Sequence, residues 1–303
     1  MTPTRPTGPP LVLVFAGSDP TSGAGLQADL LTICGMGCHG LTVVTAITVQ
    51  DTVGVTDVMP VSAELVSAQA RALLDDVSIA AIKVGVVGSY DNAKAIGVIA
   101  RAYPNIPLIL DPVLASGRND PLGADDVLAA LLEHLVPIAM LVTPNSVEAR
   151  RLAGALSHDA LSLDANSLDE CAHRLIDRGA RHVLITGTHE PSEFVENVLY
   201  NRSGRIREDH WKRLEGEYHG SGCTLASAVA AAIANGLEFE EAVRAAQDYT
   251  WHALKSGFWP GKGQAIPDRF FWARAEAPAN GLASPPPAEG TLTEAAPSGA
   301  PLM

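Results

Sequence analysis

The sequence predicts one large α/β domain with a mainly parallel sheet. Short apolar runs alternate along the chain with segments of helical periodicity, which is the pattern of repeated strand–helix units. The apolar runs are continuous rather than alternating, as in "LVLVFAG" at residues 11–17. Continuous runs are typical of strands covered by helices on both faces, joined by right-handed crossovers.

The strands are predicted where apolar and β-branched residues cluster. After residues 11–17 they are expected at residues 41–49, 80–88, 106–113, 139–145 and 182–188. The segment "VENVLYNRSGRIRED" predicts a hairpin that turns at Ser203 and Gly204. The helix "GLQADLLTICGMG" follows the first strand, and further helices are expected at Ala63–Asp75, Asp91–Ala102, Asp125–His134, Ser146–Ala155 and Leu168–Arg178.

The domain is expected to occupy residues 10–276, because no change of composition interrupts them. Residues 1–9 are rich in Thr, Pro and Gly and are expected to be flexible. Residues 277–303 contain many prolines and few large apolar side chains. Such a tail cannot bury enough surface to offset its ordering entropy, so we expect it to be disordered.

The charge and the cysteine content limit the function classes. The net charge is −13, and the sequence contains no basic stripe. Both observations disfavour binding to nucleic acid or to an anionic membrane. No apolar run is long enough to span a bilayer, and the N-terminus has no secretory signal. Four cysteines in 303 residues indicate reduced thiols of a cytoplasmic protein. The C-x-x-x-C pair at Cys34 and Cys38 has no partner cluster that completes a zinc site.

Polar residues follow the predicted strands, and ligands of an open α/β sheet bind at the carboxyl ends of its strands. Each such residue has an alternative role as a turn or helix cap. Their convergence on one edge nevertheless predicts a ligand site there. The segments concerned are Gly17-Ser18-Asp19, Gln50-Asp51, Asp111-Pro112, Thr143-Pro144-Asn145 and Thr186-Gly187.

The segment "EYHGSGCTLASAVAAAIANG" places a thiol where a helix begins. Gly220, Ser221 and Gly222 lack bulk, and the first turn of a helix leaves N–H groups that bind anions. The segment therefore predicts an anion hole for a transferring phosphoryl group. The helix dipole is expected to lower the pKa of Cys223 and favour its thiolate. The alternative is a tight turn with a small buried cysteine.

The segment "GAGLQA" at residues 23–28 fits a dinucleotide fingerprint, but its position argues against one. Six residues separate it from the first strand, and no acidic residue ends the second strand at the expected spacing. A loop over a small ring, entered by Gly17 and Ala24, fits the extra residues better. The sequence also has no P-loop and no protein-kinase signature.

Six segments in order, "AGSDPTSGAGLQADLLT", "TAITVQDT", "IKVGVVG", "ILDPV", "VTPNSVEA" and "HGSGCTLASA", resemble one family. They are similar to the hydroxymethylpyrimidine/phosphomethylpyrimidine kinases of thiamine biosynthesis, which belong to the ribokinase-like superfamily. The resemblance covers about Leu11 to Trp272. It implies a three-layer α/β/α sandwich, ATP as co-substrate, Mg²⁺, and a homodimer.

The resemblance implies a ring site and a phosphate site. Gln50 is expected to hydrogen-bond the aminopyrimidine, because an amide supplies a donor and an acceptor. The other ring-site residues implied are Gly17, Ala24, Asp29, Val86 and Val113. Cys223 with the N–H groups of Gly220, Ser221 and Gly222 is expected to hold the transferring phosphoryl group.

On the phosphate side, the resemblance implies Asn145 and Glu148 of an N-x-x-E motif, together with Thr186 and Gly187. Asp111 and Glu148 are expected to hold Mg²⁺, the latter through water. Glu148 also fits an ordinary acidic residue in the first turn of a helix. Val86 and Val113 equally fit a core role.

Two lysines of the family pattern are absent. The first should lie in the segment "DPVLASGRNDPLG", which has no lysine, so Arg118 is expected to replace it on a lid. The second should lie in the segment "TGTH" at residues 186–189, which also has no lysine. These changes leave nucleotide affinity and the second phosphorylation open. Two alternatives also remain: a pyridoxal or pyridoxine kinase, and a pyrimidine-binding protein without turnover.

Overall fold

The computed structural model describes residues 8–114, 126–156 and 167–275. Its strands are, in chain order, β1 (Leu11–Ser18), β2 (His39–Gln50), β3 (Val55–Pro60), β4 (Ala81–Val84), β5 (Leu108–Leu110), β6 (Leu141–Val142), β7 (His182–Thr186), β8 (Phe194–Asn201) and β9 (Gly204–Lys212). The helices are α1 (Gly25–Gly35), α2 (Ala63–Leu74), α3 (Tyr90–Ala102), α4 (Val127–Ala130), α5 (Ser146–Ala155), α6 (Leu168–Asp177), α7 (Ser221–Ala234), α8 (Phe239–Lys255) and α9 (Phe271–Ala275).

These strands form one sheet in the order β3-β2-β1-β4-β5-β6-β7-β8-β9. Strands β1, β2, β4, β5, β6 and β7 are parallel, so their carboxyl ends meet at one edge. Strands β3, β8 and β9 pair antiparallel. The hairpin predicted around Ser203 and Gly204 is confirmed, with Asn201 opposite Gly204.

Helices cover both faces of the sheet, which confirms the three-layer α/β/α prediction. One apolar core packs α2, α3, α5 and α6 on the sheet, with Val66, Ile96, Leu152 and Leu175 at its centre. The other core packs α1, α7 and α8 on the opposite face through Ile33, Val229 and Val243. None of the described helices is long and apolar enough to cross a bilayer.

Two local predictions are corrected. Strand β3 was not predicted, because "VTDVMP" is a half-exposed edge strand without a continuous apolar run. The single helix predicted at Asp125–His134 is observed, from residue 126 onward, as the short α4, a π-helical turn at Leu131–Leu135 and a 3₁₀ turn at Val136–Ile138. Pro137 lacks an N–H group and cannot continue an α-helix.

The chain divides into two units, Met1–Phe271 and Trp272–Met303. The whole sheet and helices α1 to α8 belong to the first unit. The expected flexible N-terminus lies, up to residue 7, outside the described residues, and the expected tail at residues 277–303 lies wholly outside them. The domain boundary near residue 276 therefore stays a prediction.

Candidate active site

Helix α7 begins after Gly220, at a position that only a glycine can occupy. Gly220 has a φ of 79°, and a Cβ built there lies 2.0 Å from the carbonyl oxygen of Gly23. The close approach seats the start of α7 against the glycine-rich loop that follows β1. Within the described residues, the N–H groups of Ser221, Gly222 and Cys223 have no hydrogen-bond acceptor. They remain available to an anion, as the sequence predicts.

Cys223 differs from the prediction in its protonation state. The residue is only 8 % exposed. Burial raises the pKa of its thiol to about 12, and the neighbouring Lys83 offsets this only in part. The prediction of a thiolate is therefore wrong, because the cost of burying a charged sulfur exceeds the effect of the helix dipole. At neutral pH this side chain is a thiol.

A buried ion pair lies beneath the thiol. The ammonium of Lys83, on β4, donates to both carboxylate oxygens of Asp29 at 2.8 and 2.9 Å, and the hydroxyl of Ser227 donates to Asp29 Oδ1 at 2.7 Å. Asp29 and Lys83 are both fully buried. This corrects the expectation that Asp29 contacts the ring, since its oxygens are already bonded inside the protein. The pair instead ties β4 to α1 and α7.

Asp111 and Glu148 are two carboxyl groups whose ionised forms are disfavoured by their surroundings. Asp111 follows β5, its Oδ2 is buried without a hydrogen-bond partner among the described residues, and Lys83 Nζ lies 3.9 Å away. Burial raises the pKa of Asp111 to about 6 despite the attraction of Lys83. Burial and the proximity of Asp111 raise the pKa of Glu148 to about 8. A cation placed between these groups would stabilise both carboxylates.

Asn145 and Glu148 also form the start of α5. The side-chain Oδ1 of Asn145 accepts from the N–H groups of Val147 and Glu148 at 3.0 and 2.9 Å, and Glu148 Oε2 accepts from the Asn145 N–H at 3.0 Å. This is a capping box, which is the local role that the sequence left open. The second carboxylate oxygen of Glu148 is not part of the box.

The ring side is organised by Asp19, which follows β1. Its carboxylate accepts hydrogen bonds from the N–H and hydroxyl of Thr21, the N–H of Ala24 and His219 Nε2, at 2.7 to 2.9 Å. Burial opposes ionisation, but these bonds and one from Gln50 outweigh it and hold the pKa of Asp19 well below its usual range. His219 stands directly before Gly220, so Asp19 connects the ring side to the anion hole.

Gln50 lies at the end of β2, beside His219. Its amide nitrogen is 3.4 Å from His219 Nε2, and its side chain lies close enough to Asp19 to help lower the pKa of that carboxyl. A carboxylate only accepts hydrogen bonds, so the end of the Gln50 amide that faces Asp19 is its NH₂ group. Among the described residues, none donates to Gln50 Oε1. Half-buried Val86 and Val113 lie at the ends of neighbouring strands, and a Cβ built on Gly17 lies 3.7 Å from that of Val86.

The predicted nucleotide residues lie at the ends of β6 and β7. Asn145 and Thr186 pair in a parallel β-bridge. The N–H of Gly187 donates to Asn197 Oδ1 at 3.3 Å, and a Cβ there would lie 2.4 Å from the carbonyl oxygen of Glu196. Close packing on β8 therefore requires this glycine. Arg118 lies outside the described residues, so its role on a lid stays a prediction.

An arginine that the sequence analysis missed orders the loop after β7. The guanidinium of Arg213 donates to the carbonyl oxygens of Thr188, Glu190 and Ser192 at 2.7 to 3.0 Å. Arg150, on α5, forms a bidentate pair with the Glu190 carboxylate at 2.7 and 3.1 Å. The loop is thus fixed although it lacks a lysine.

His219 and Lys83 were also missed. Their only local signals are a polar residue before "GSGC" and a lone lysine inside an apolar strand.

The family model described as phosphomethylpyrimidine kinase matches residues 19–268. A hydroxymethylpyrimidine/phosphomethylpyrimidine kinase of Streptomyces coelicolor is 38 % identical over 278 residues, covering 90 % of this chain and 99 % of the relative. A Rhizobium meliloti protein of the same description is 37 % identical over 246 residues, covering 81 % and 91 %.

Solved structures of two kinds share the fold. An ADP complex of Bacillus subtilis pyridoxal kinase has a TM-score of 0.77 at 27 % identity, covering 88 % of this chain and 100 % of the other. The phosphomethylpyrimidine kinase of Clostridium difficile has a TM-score of 0.67 at 31 % identity, covering 80 % and 97 %. The family match includes Asp19, Gln50, Asp111, Glu148 and Cys223 of the site described above, and this chain, a kinase of thiamine biosynthesis that uses ATP, belongs to the phosphomethylpyrimidine kinase family.

Proposed function

We propose that the chain transfers the γ-phosphoryl group of ATP to the hydroxymethyl oxygen of 4-amino-5-hydroxymethyl-2-methylpyrimidine, and then a second one to the resulting monophosphate. The observation that carries this proposal is the set of three unpaired N–H groups at Ser221, Gly222 and Cys223, next to the ring site at Gln50. Hydrogen-bond donors of this kind stabilise the charge on a transferring phosphoryl group.

The thiol of Cys223 acts as a hydrogen-bond donor and not as a base. A group with a pKa of about 12 gives almost no thiolate at neutral pH. Phosphoryl transfer through a loose transition state depends on positioning and electrostatics, so a strong base is not needed. The thiol then holds the acceptor oxygen in line with the phosphoryl group. As the new O–P bond forms, the bond from the γ-phosphorus to the β-phosphate oxygen breaks, ADP leaves, and the hydroxyl proton passes to an oxygen of the transferred phosphate.

Mg²⁺ is the cation that we propose for Asp111 and Glu148. The unpartnered Oδ2 of Asp111 and the raised pKa values of both groups fit a bound divalent cation. The described residues contain no cluster of three or more His, Cys, Asp or Glu side chains that could hold a metal by themselves. Mg²⁺ with one or two carboxylates, waters and phosphate oxygens needs no such cluster, and it supplies neutralisation of phosphate charge.

Gln50 is proposed to select the aminopyrimidine. Asp19 holds the amide nitrogen, so the free Oε1 faces a ligand that donates, and the 4-amino group of the pyrimidine is such a donor. A pyridoxal kinase is the second candidate, because structures of pyridoxal kinases from Bacillus subtilis and Staphylococcus aureus match this fold. The ring of pyridoxal carries an oxygen and no amino group.

Purified protein with Mg-ATP tests the proposal when it is offered the hydroxymethylpyrimidine, its monophosphate and pyridoxal in parallel, with products identified by mass. We expect phosphorylation of the first two at kcat/KM values at least ~10-fold above that for pyridoxal. A preference for pyridoxal would replace the first candidate by the second. Thermal stabilisation by the pyrimidine alone, without turnover and without a shift from Mg-ATP, would indicate a binding protein.

Gln50→Met sharpens the choice of ring, because methionine keeps the volume and removes the amide, both its acceptor and its donor. We expect kcat/KM for the pyrimidine to fall ~100-fold and that for pyridoxal to fall less than ~10-fold. Equal losses for the two substrates would contradict the role of Gln50 Oε1.

We also propose a cytoplasmic homodimer. The β2–β3 pair exposes Ile47, Val49 and Met59 at 52, 59 and 65 %, and Ile47 stands opposite Met59. An adjacent set of exposed apolar side chains is typical of an interface. Free cysteines at all four positions fit a reducing compartment. Sedimentation of Met59→Glu tests the dimer, which this variant should convert to monomer; a monomeric wild type would reject it.

A further inference from the structure

The segment after α8, residues 257–269, contacts the loops that carry the ring site. Its first contact is with Thr52, two residues beyond Gln50. The N–H of Gly263 donates to Thr52 Oγ1 at 3.1 Å, and the N–H of Gln264 donates to the Thr52 carbonyl oxygen at 2.9 Å. A Cβ built on Gly263 would lie 1.7 Å from that oxygen, so the two backbones are in close contact.

Its second contact is with the loop that leads into the anion hole. The N–H of Ala265 donates to the carbonyl oxygen of Glu217 at 2.9 Å, and the N–H of His219 donates to the carbonyl oxygen of Ala265 at 2.8 Å. These two bonds fix the backbone of His219, whose side chain bonds Asp19. The segment thus fixes His219 directly, and through His219 it acts on Asp19 beside the amide of Gln50.

Its third contact is made by Arg269, which is only 2 % exposed. The guanidinium donates to the carbonyl oxygens of Ser22 and Gly23 at 3.3 and 2.5 Å, and through Nε to Thr224 Oγ1 at 3.1 Å. The Thr224 hydroxyl donates in turn to the Gly220 carbonyl oxygen at 2.8 Å. One side chain therefore spans the glycine-rich loop and the first turn of α7.

This arginine is buried without an acidic partner. Among the described residues, no carboxylate lies within ion-pair distance of its guanidinium, although Asp29 and Asp19 act on it from farther away. An unpaired buried cation is costly, and apolar side chains usually stabilise a core better. A guanidinium is nevertheless suited to this position, because its N–H donors reach acceptors on two segments of the site at once.

We propose that Arg269 is a positioning residue for the acceptor site. It holds the Ser22–Gly23 backbone against the start of α7, so that the ring bound at Gln50 meets the N–H groups at Ser221 to Cys223 at the correct distance. The identity of the ring rests on the proposed function, whereas the coupling of the two loops does not. The positive charge also adds to the potential that attracts a phosphoryl group.

Arg269→Gln and Arg269→Lys test the proposal, with Arg178→Lys as the matched control. Arg178 Nε also donates to a carbonyl oxygen, that of Leu132, at 2.7 Å, but it lies at the end of α6. For Arg269→Gln we expect a ~10-fold rise in KM for the pyrimidine and a ~10-fold fall in kcat, with KM for ATP changed less than ~2-fold. Arg178→Lys should leave all three constants unchanged. Equal changes in both KM values would mean a general structural role and overturn the proposal.

Hydrogen exchange of the ligand-free protein gives a second readout that needs no substrate. We expect faster exchange in Arg269→Gln at residues 20–25 and 219–225, and unchanged exchange at residues 187–193. Faster exchange everywhere, or nowhere, would overturn the proposal even if the kinase assay succeeds. If the pyrimidine proves to be no substrate while the two segments still loosen together, the proposed function fails and the positioning role stands.

Thr224→Val is the second variant if Arg269→Gln does not fold. It removes the hydroxyl that links Arg269 to Gly220 and keeps the arginine and its two carbonyl acceptors. We expect a ~3-fold to 10-fold rise in KM for the pyrimidine, and Thr224→Ser, which keeps the hydroxyl, should restore the wild-type value. An unchanged KM in Thr224→Val, with local exchange also unchanged, would overturn the proposal.

Discussion

The ring side and the phosphate side of the site are prepared for their ligands in opposite ways. On the ring side, Asp19 accepts hydrogen bonds from several neighbours, and its pKa is held low. On the phosphate side, Asp111 keeps a buried oxygen without a partner, and the pKa values of Asp111 and Glu148 are raised to about 6 and about 8. The first side has most of its hydrogen bonds in place before anything binds, with Gln50 Oε1 left for a ligand, while the second has two carboxyl groups whose ionised forms are disfavoured by their surroundings.

This difference follows from the chemistry of the two ligands. A flat, nearly neutral ring is selected by donors and acceptors of fixed direction, so the protein gains affinity by ordering them in advance. A nucleotide carries its own charge and its own metal ion. The carboxyl groups proposed to meet the ion are therefore only partly satisfied by the protein, since Asp111 Oδ2 has no hydrogen-bond partner among the described residues, and the free energy that their burial costs is recovered when the ion binds.

The largest expected effect tests the carboxyl groups of the phosphate side. Asp111→Asn removes the unpartnered carboxylate, and we expect kcat/KM to fall by about 1,000-fold, equivalent to about 4 kcal/mol. The thermal midpoint should not fall, because burial already disfavours the ionised form of this group. Steady-state kinetics and calorimetry give the two values, with the exposed Asp177→Asn as control. Activity within ~10-fold of wild type would remove Asp111 from the metal site.

The next largest effect is expected at Cys223, which lies between the ring side and the phosphate side. Cys223→Ala should lower kcat ~100-fold, and Cys223→Ser should stay within ~10-fold of wild type, because a hydroxyl also donates a hydrogen bond. The pKa of about 12 predicts that no thiol ionisation appears in the pH profile between pH 6 and 9. A serine variant as inactive as the alanine variant, or a loss of activity toward low pH that disappears with the thiol, would restore the role of a base.

Arg213→Lys extends the comparison to the nucleotide loop. Lysine keeps the charge but cannot reach three carbonyl oxygens at once, so the loop at residues 188–192 should loosen. We expect KM for ATP to rise ~5-fold and KM for the pyrimidine to change less than ~2-fold. This is the reverse of the result expected for Arg269→Gln. If both variants affect the same substrate, the two sides are not separate.

The last prediction tests the network of the ring side by its pH dependence. The pKa of Asp19 is lowered by folding, so its ionised form adds stability that is present above the usual pKa near 4 and is lost as the pH falls further. Asp19→Asn should therefore cost about 1–2 kcal/mol of unfolding free energy at pH 7 and less at pH 3. Urea unfolding at the two pH values measures this. A gap that widens at pH 3 would contradict the lowered pKa.

Local signals made much of the fold predictable. Helix α5 begins and ends where the sequence predicts, since Asn145 and Glu148 form a capping box three residues apart. The parallel strands were located from their continuous apolar runs, and the hairpin from its turn at Ser203 and Gly204. Each of these signals lies within a few residues of the feature that it specifies.

The contacts that assemble the site are not local, and the sequence analysis missed them. The bond from His219 to Asp19 spans 200 residues, and that from Arg269 to Gly23 spans 246. The partner of Asp29, which lies on α1, is Lys83, 54 residues away on β4, so Asp29 was assigned to the ring. The protonation state of Cys223 was misjudged for the same reason, because burial depends on the tertiary packing around the helix.

The burial of Cys223 affects how the enzyme responds to oxidants. Peroxides and alkylating reagents attack exposed thiolates, and this sulfur is both shielded and protonated. Cys34, by contrast, is exposed on the outside of α1. Oxidative damage should therefore mark Cys34 first and leave the reaction centre intact, which gives a vitamin-producing kinase resistance to redox stress without any dedicated repair.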